Sequence, residues 1–136
     1  MLRTLLILLQ ISQHYLLMQP LQEAVRNGRF EQLAAVSRPR LLLSLEEPLE
    51  VRGAMSREQF VAEFSARFAA LQAEAIEWSS LQAEENIAVQ SLNLILKRRF
   101  SGERVYYKLI LFMSSEMPPP GREKEWKLYY VRGLRI

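Results

Sequence analysis

A chain of 136 residues, 49% apolar and 24% charged, is long enough to bury one core and too short for two ordinary domains. It has no Cys, no Asp and a single His, which excludes disulfides, thiolate metal sites, a Cys nucleophile and most acid–base sets. The net charge of +3 is uneven: residues 1–96 carry 8 basic and 11 acidic side chains (net −3), and residues 97–136 carry 10 and 4 (net +6).

The first segment has two readings. Arg3 followed by Leu5–Leu9 resembles the basic and apolar regions of a secretory signal, which would make the protein periplasmic or extracellular. Alternatively, Leu5, Leu8, Leu9, Tyr15 and Leu16 recur at helical spacing, as in a retained amphipathic helix of a cytoplasmic protein. The run is too short and too polar for a transmembrane segment, which needs about 20 apolar residues. Residues 1–19 are therefore set apart from a single domain over 20–136.

Pro20 suits the first turn of a helix, Leu21, Ala24 and Val25 give it an apolar stripe, and Asn27-Gly28 stops it. Phe30, Leu33, Ala34 and Val36 predict a second short helix, closed at Ser37-Arg38-Pro39. Leu41–Leu45 and Leu49–Val51 predict two short strands around Glu46-Glu47-Pro48, with Gly53 closing the segment. Ser56-Arg57-Glu58-Gln59 is a capping box, and Phe60, Phe64, Phe68 and Leu71 make one face of a long helix over about 57–73.

From Glu74 the apolar period becomes two. Strands are predicted through Ile76 and Trp78, through Ile87–Leu96, through Val105–Met113 and through Trp126–Arg135. A turn centred on Ser101-Gly102 would place Leu96 opposite Tyr107, Leu94 opposite Leu109 and Leu92 opposite Leu111, all on one face. Met117-Pro118-Pro119-Pro120-Gly121 reads as a rigid loop before the last strand. The fold class is α+β: N-terminal helices and one long helix packed on a curved antiparallel four-stranded sheet.

Three stretches carry a resemblance to a known superfamily. They are Leu21–Leu33, with its helix, glycine break and short helix; Met55–Phe60, which opens the long helix; and the closing strand Trp126–Ile136. On these the chain resembles the nuclear transport factor 2-like superfamily of cystatin-like cones, and within it a small bacterial secreted family of unknown function. The resemblance implies a cone, with helices closing over the concave side of a curved sheet. It also implies that some relatives use the cavity for isomerase, dehydratase or hydrolase chemistry with a carboxylate base, and that two-fold dimers are common.

Little here fits such chemistry. A catalytic version would need a Glu, and Glu63 and Glu77 read more simply as surface charges. His14 precedes the domain and has no identifiable partner. No carboxylate cluster or phosphate loop suggests a metal or cofactor, so no catalytic or metal-binding residue is assigned. Trp78, Tyr107, Trp126 and Tyr130, with Arg98 and Arg132 as polar groups, form a candidate cone lining for a small apolar ligand. The same aromatics, with Phe60, Phe64 and Phe68, also serve simply as core. Opposite the inward set, Ile95, Tyr106, Ile110, Phe112, Tyr129 and Val131 form an apolar outer face beside Lys97, Lys108 and Lys127.

The expected function is a non-catalytic binding or protein-interaction domain, associating through that outer face as a homodimer; the competing cover of the same face is the chain's own first segment, Leu5 to Leu17, if it is retained as a helix. The alternative is a small-molecule-binding or enzymatic cone with a Glu/Tyr pair. A nucleic-acid-binding sheet using the basic C-terminal half is the weaker reading.

Overall fold

The computed structural model describes residues 20–79, 81–115 and 126–136. The signal-peptide or helix readings of residues 1–19, His14, Ser80 and the proline loop all fall outside them. A first helix, α1, runs over residues 20–27 and stops at Gly28, whose φ of +68° is the left-handed conformation that glycine adopts without cost. A short α2 (Glu31–Ala35) follows, and the chain passes directly into β1 (Ser37–Leu45). Then come β2 (Val51–Ser56), α3 (Arg57–Phe68), β3 (Leu71–Trp78), β4 (Gln82–Ala83), β5 (Ile87–Arg98), β6 (Arg104–Ser115) and β7 (Trp126–Arg135).

The sheet has seven strands, not four. Its order is β2-β1-β7-β6-β5-β3, with the two-residue β4 also on β5. Two features widen it beyond the sequence reading. β1 starts at Ser37, because Pro39 opens a strand irregularity rather than separating helix from strand. β1 then pairs in parallel with β7, an arrangement that local patterning cannot reveal. Gly53 does not close the segment: it lies inside β2 opposite Leu43, with a φ of +123° that side-chain-bearing residues rarely adopt.

The capping box forms as expected. Ser56 Oγ accepts from the Gln59 N–H at 3.2 Å, and Gln59 Oε1 accepts from the Ser56 N–H at 3.1 Å. The helix ends earlier, at Phe68 rather than near residue 73. Leu71 satisfies a helical stripe and an inward strand position equally well, and pairing with Arg98 of β5 decides for the strand.

Phe60, Phe64 and Phe68 form one stripe of α3, and Phe30, from the link between α1 and α2, packs against all three with centroids 5.1–6.1 Å apart. Below them the inward side chains of β5 and β6, Leu92, Leu94, Leu96, Val105, Tyr107 and Leu109, are buried almost completely. Arg57 fixes the start of α3 to β1 by donating twice to the Ser37 carbonyl, at 2.6 and 3.0 Å.

The β5–β6 hairpin keeps the expected faces with a different register. Leu96 lies opposite Val105, Leu94 opposite Tyr107 and Leu92 opposite Leu109. Gly102 takes φ +73° and its N–H bonds the Arg98 carbonyl, so the turn centre moves to Phe100-Ser101 and Phe100 stands fully exposed at the tip. A two-residue change of partner preserves which side chains face inward.

Candidate functional site

Two regions compete for a functional role: the interior between helices and sheet, and the uncovered outer face of the sheet. Of the expected cone lining, Trp78, Tyr107 and Trp126 face inward and join one continuous core. Tyr130 and Arg132 do not. Between Leu128 and Tyr130 the β7 register shifts against β6, so that Leu128 faces Met113 but Tyr130 faces Phe112. This bulge inserts Tyr129 and reverses the parity of everything after it. Tyr130 and Arg132 therefore lie on the outer face. Val131, expected outside, is buried inside opposite Leu111.

The inward polar groups are committed to structure at one end of the cone. Tyr107 Oη donates to the Glu46 carbonyl at 2.9 Å. Burial raises its pKa well above the ordinary tyrosine value, and the Glu46 carboxylate adds to the effect. The turn that carries Glu46 is tied to β7 twice more: the Glu46 N–H donates to the Gly133 carbonyl at 3.1 Å, and the Glu46 carboxylate accepts from the Arg135 N–H at 3.0 Å. Gly133 is required there, because a Cβ at that position would meet Tyr107 Oη at 2.2 Å and Leu45 Cδ2 at 2.6 Å. Arg98, expected at the cone mouth, instead pairs with Glu47 at 3.1 Å and with Glu103 at 3.8 Å. Glu103 in turn meets Arg135 at 3.4 Å. These partly exposed pairs each contribute little stability, but together they occupy the charged groups of this end.

At the other end, Gln90 is buried and its amide donates to the Ser79 carbonyl, while Ser79 Oγ donates to the Ser91 carbonyl at 2.8 Å. Trp78 Nε1 is buried without a hydrogen-bond acceptor. The two carboxylates weighed as catalytic bases lie elsewhere. Glu63 pairs with Arg67 at 3.4 Å along α3, and Glu77 is exposed on β3. Among the described residues no group of three or more His, Cys, Asp or Glu side chains is placed to hold a metal ion. No described helix is long and apolar enough to cross a membrane.

The outer face is organised in rungs across the strands. Leu42, Tyr130, Phe112 and Val89 lie opposite one another in sequence across β1, β7, β6 and β5. The bulge brings Tyr129 beside them: Phe112 is 4.9 Å from the Tyr130 ring and 6.4 Å from that of Tyr129. Ile110 occupies the next rung, and Ile95 faces Tyr106 further along. Leu42 and Tyr106 are 49% and 56% exposed, and the remainder of this apolar set is half-buried with no described helix above it. The basic residues concentrate on the same sheet. β1, β2, β5, β6 and β7 carry ten Arg and Lys residues and not one acidic residue. Of this apolar rung the sequence pattern assigns only Phe112 to the outer face; it places Tyr130 inside and gives Leu42 and Val89 no face.

Fold comparison places this architecture. Over 88% of this chain and 93% of the other, it superposes on an NTF2-like protein from Cytophaga hutchinsonii with a TM-score of 0.60 at 16% identity. The chain has the nuclear transport factor 2-like fold. A DUF4783 family protein from Bacteroides uniformis shares it with a TM-score of 0.65 at 8% identity, covering 87% of this chain and 95% of that one. A putative isomerase from Rhodopseudomonas palustris does so with a TM-score of 0.61 at 15% identity, covering 90% and 88%. Bacterial proteins of several descriptions are thus among the structures whose fold this chain shares. No protein-family model matches the sequence, and no curated protein is significantly similar to it. The likeness is one of fold, and fold alone does not assign chemistry.

Proposed function

We propose that this protein is a non-catalytic interaction domain that works through the outer face of its sheet. The observation that carries this reading is the apolar rung Leu42–Tyr130–Phe112–Val89, enlarged by Tyr129 and uncovered among the described residues. A sheet with helices on one side ordinarily turns polar residues to water on the other. A contiguous apolar patch there is what contact surfaces show. The interior supports the same reading, because Tyr107 and Arg98 are held by the Glu46 carbonyl and by Glu47 and are not turned towards a reactant. A photo-crosslinking residue placed at 110, and separately at 63 on α3, tests the reading in the native host. Adducts from position 110 and none from 63 are expected, with an adduct of twice the chain mass identifying a homodimer. Equal labelling from both positions, or none from 110, rejects the reading.

A second reading has one observation of its own. The buried Trp78 N–H lacks an acceptor, and an unpaired buried donor is costly. A small, mainly apolar ligand with one acceptor would satisfy it inside the cone. Trp78→Phe removes the donor. A ligand that raises the melting temperature of the wild type and of this variant equally does not use that N–H, and this reading then fails.

A further inference from the structure

We infer that the occupant of the outer face is an acidic amphipathic helix of another protein, lying across the strands on the apolar rung. This inference rests on the interaction reading above and names its partner. Its basis is the charge that frames the rung. On one side, Arg52 faces Ser44, Ser44 faces Arg132 and Arg132 faces Ile110. On the other, Lys127 faces Ser114, and the Arg38 guanidinium reaches that same Ser114 Oγ at 3.0 and 3.2 Å. Among the described residues Arg52, Lys108, Lys127 and Arg132 have no carboxylate within ion-pair distance. The acidic residues on the strands of the sheet are Glu74 and Glu77, both on the edge strand β3, and Glu74 is held by Arg104 at 2.7 Å and Lys97 at 4.0 Å. The apolar rung therefore lies between one rung that carries Arg52 and Arg132 beside Ile110 and another that carries Lys127 beside Ser114 and the half-exposed Ile87.

The dimensions suit a helix. Four strands at about 4.8 Å spacing make the rung about 14 Å long, which is about three turns of α-helix. The two flanking rungs lie four residues apart along β6, about 14 Å, and a helix with its side chains is about 10–12 Å wide. An apolar stripe at i, i+3, i+4 and i+7, with Glu or Asp on both flanks, would place carboxylates over Arg132 and Arg52 on one side and Lys127 on the other. A second copy of this chain would set one basic face, free of acidic residues on β1, β2, β5, β6 and β7, against another, an arrangement that interfaces avoid. Single-stranded nucleic acid needs free aromatic faces for base stacking. Here Phe112 and Tyr130 cover one another at a 58° tilt, and Tyr106 stands two rungs beyond Ile110.

The test uses the full chain and a labelled helical peptide of about 12–14 residues, with leucines at i, i+3, i+4, i+7 and i+11 and glutamates on both flanks. A matched peptide carries lysine in place of every glutamate. By fluorescence anisotropy the acidic peptide is expected to bind, to weaken as salt rises, and to bind about tenfold or more weakly to Lys127→Glu/Arg132→Glu. Circular dichroism and the melting temperature confirm that this variant folds, and Arg52→Glu serves as a second probe of the same frame. Three results overturn the inference: no binding of the acidic peptide, equal binding of the lysine peptide, or equal binding by the reversed variant. Tighter binding of a thymidine oligonucleotide, or of vesicles of phosphatidylglycerol and phosphatidylcholine, also overturns it by changing the partner class. A wild-type dimer by sedimentation that Ile110→Lys dissociates replaces the helix with a second copy and leaves the interaction reading standing. Absence of any crosslink from position 110 sinks the interaction reading itself.

Discussion

The two faces of this sheet use the same strands for different ends. On β6, Val105, Tyr107, Leu109, Leu111 and Met113 point inward and are buried, while Tyr106, Lys108, Ile110, Phe112 and Ser114 point outward and are half-buried or exposed. Inside, the apolar side chains are explained by the helices that cover them, and the Trp78 N–H is left without an acceptor. Outside, apolar side chains and cations coexist with no described helix above them. Stability accounts for most of the first face and for the second only in part, and that remainder is where the proposed contact function would reside.

The sharpest way to break this comparison is to cut into the inner face. Phe64 is 3% exposed and touches three other Phe rings, so Phe64→Ala is expected to cost about 3–5 kcal/mol by urea denaturation. Phe112→Ala, on the outer face, should cost about 1 kcal/mol or less. Equal losses would remove the distinction.

Gly133→Ala comes next. Its Cβ cannot fit against the Tyr107 ring unless the ring or the 46–50 turn moves, and a loss of about 1–3 kcal/mol is expected. Tyr107→Phe should cost about 1 kcal/mol through the lost bond to the Glu46 carbonyl. Both changes act on one contact, so the double variant should lose less than the sum of the single losses; strict additivity would place them in separate environments.

Tyr107 also sets a pH dependence. Its folded-state pKa lies above the unfolded value of about 10, because burial disfavours the phenolate and Glu46 repels it. The stability gained from keeping the phenol neutral is thus fully present below about pH 10 and declines as the pH rises beyond it. Tyr107→Phe should flatten that alkaline decline relative to wild type, whereas parallel curves would place the phenol in water. The smallest effect belongs to the helix start. Ser56→Ala removes half of the capping box and should cost about 1 kcal/mol or somewhat less, since the cap is exposed.

How much of this was legible in the sequence depended on whether local pattern alone decided it. The inward parity of Leu92, Leu94 and Leu96 followed from strict alternation, and the capping box from four consecutive residues. Placing Ile95, Tyr106, Ile110 and Phe112 on the outer face needed only the same parity. Tyr129-Tyr130-Val131 carried no such signal. Three consecutive residues, each able to sit on either face, conceal a bulge, so Tyr130 and Val131 exchange faces and Arg132 moves outward with Tyr130. The parallel pairing of β1 with β7, which brings Leu42 beside Tyr130, joins residues nearly ninety positions apart and has no local signature at all. The cationic frame was visible only as a basic C-terminal half; its contributions from Arg38 and Arg52 appear once β1 and β2 join the sheet.

Neighbouring residues on one strand provide the most direct measurement. Leu109 and Ile110 are adjacent on β6 and face opposite ways. Urea denaturation of Leu109→Lys and Ile110→Lys beside the wild type compares the two faces at a single place. The account predicts that Leu109→Lys fails to fold or loses most of the stability, because the charge cannot leave the core. Ile110→Lys should fold within about 1 kcal/mol of wild type, since a lysine there can lay its stem on the sheet and put its ammonium in water. If Ile110→Lys is destabilised as severely as Leu109→Lys, the outer face is a second core, and the division between a structural face and a contact face is wrong.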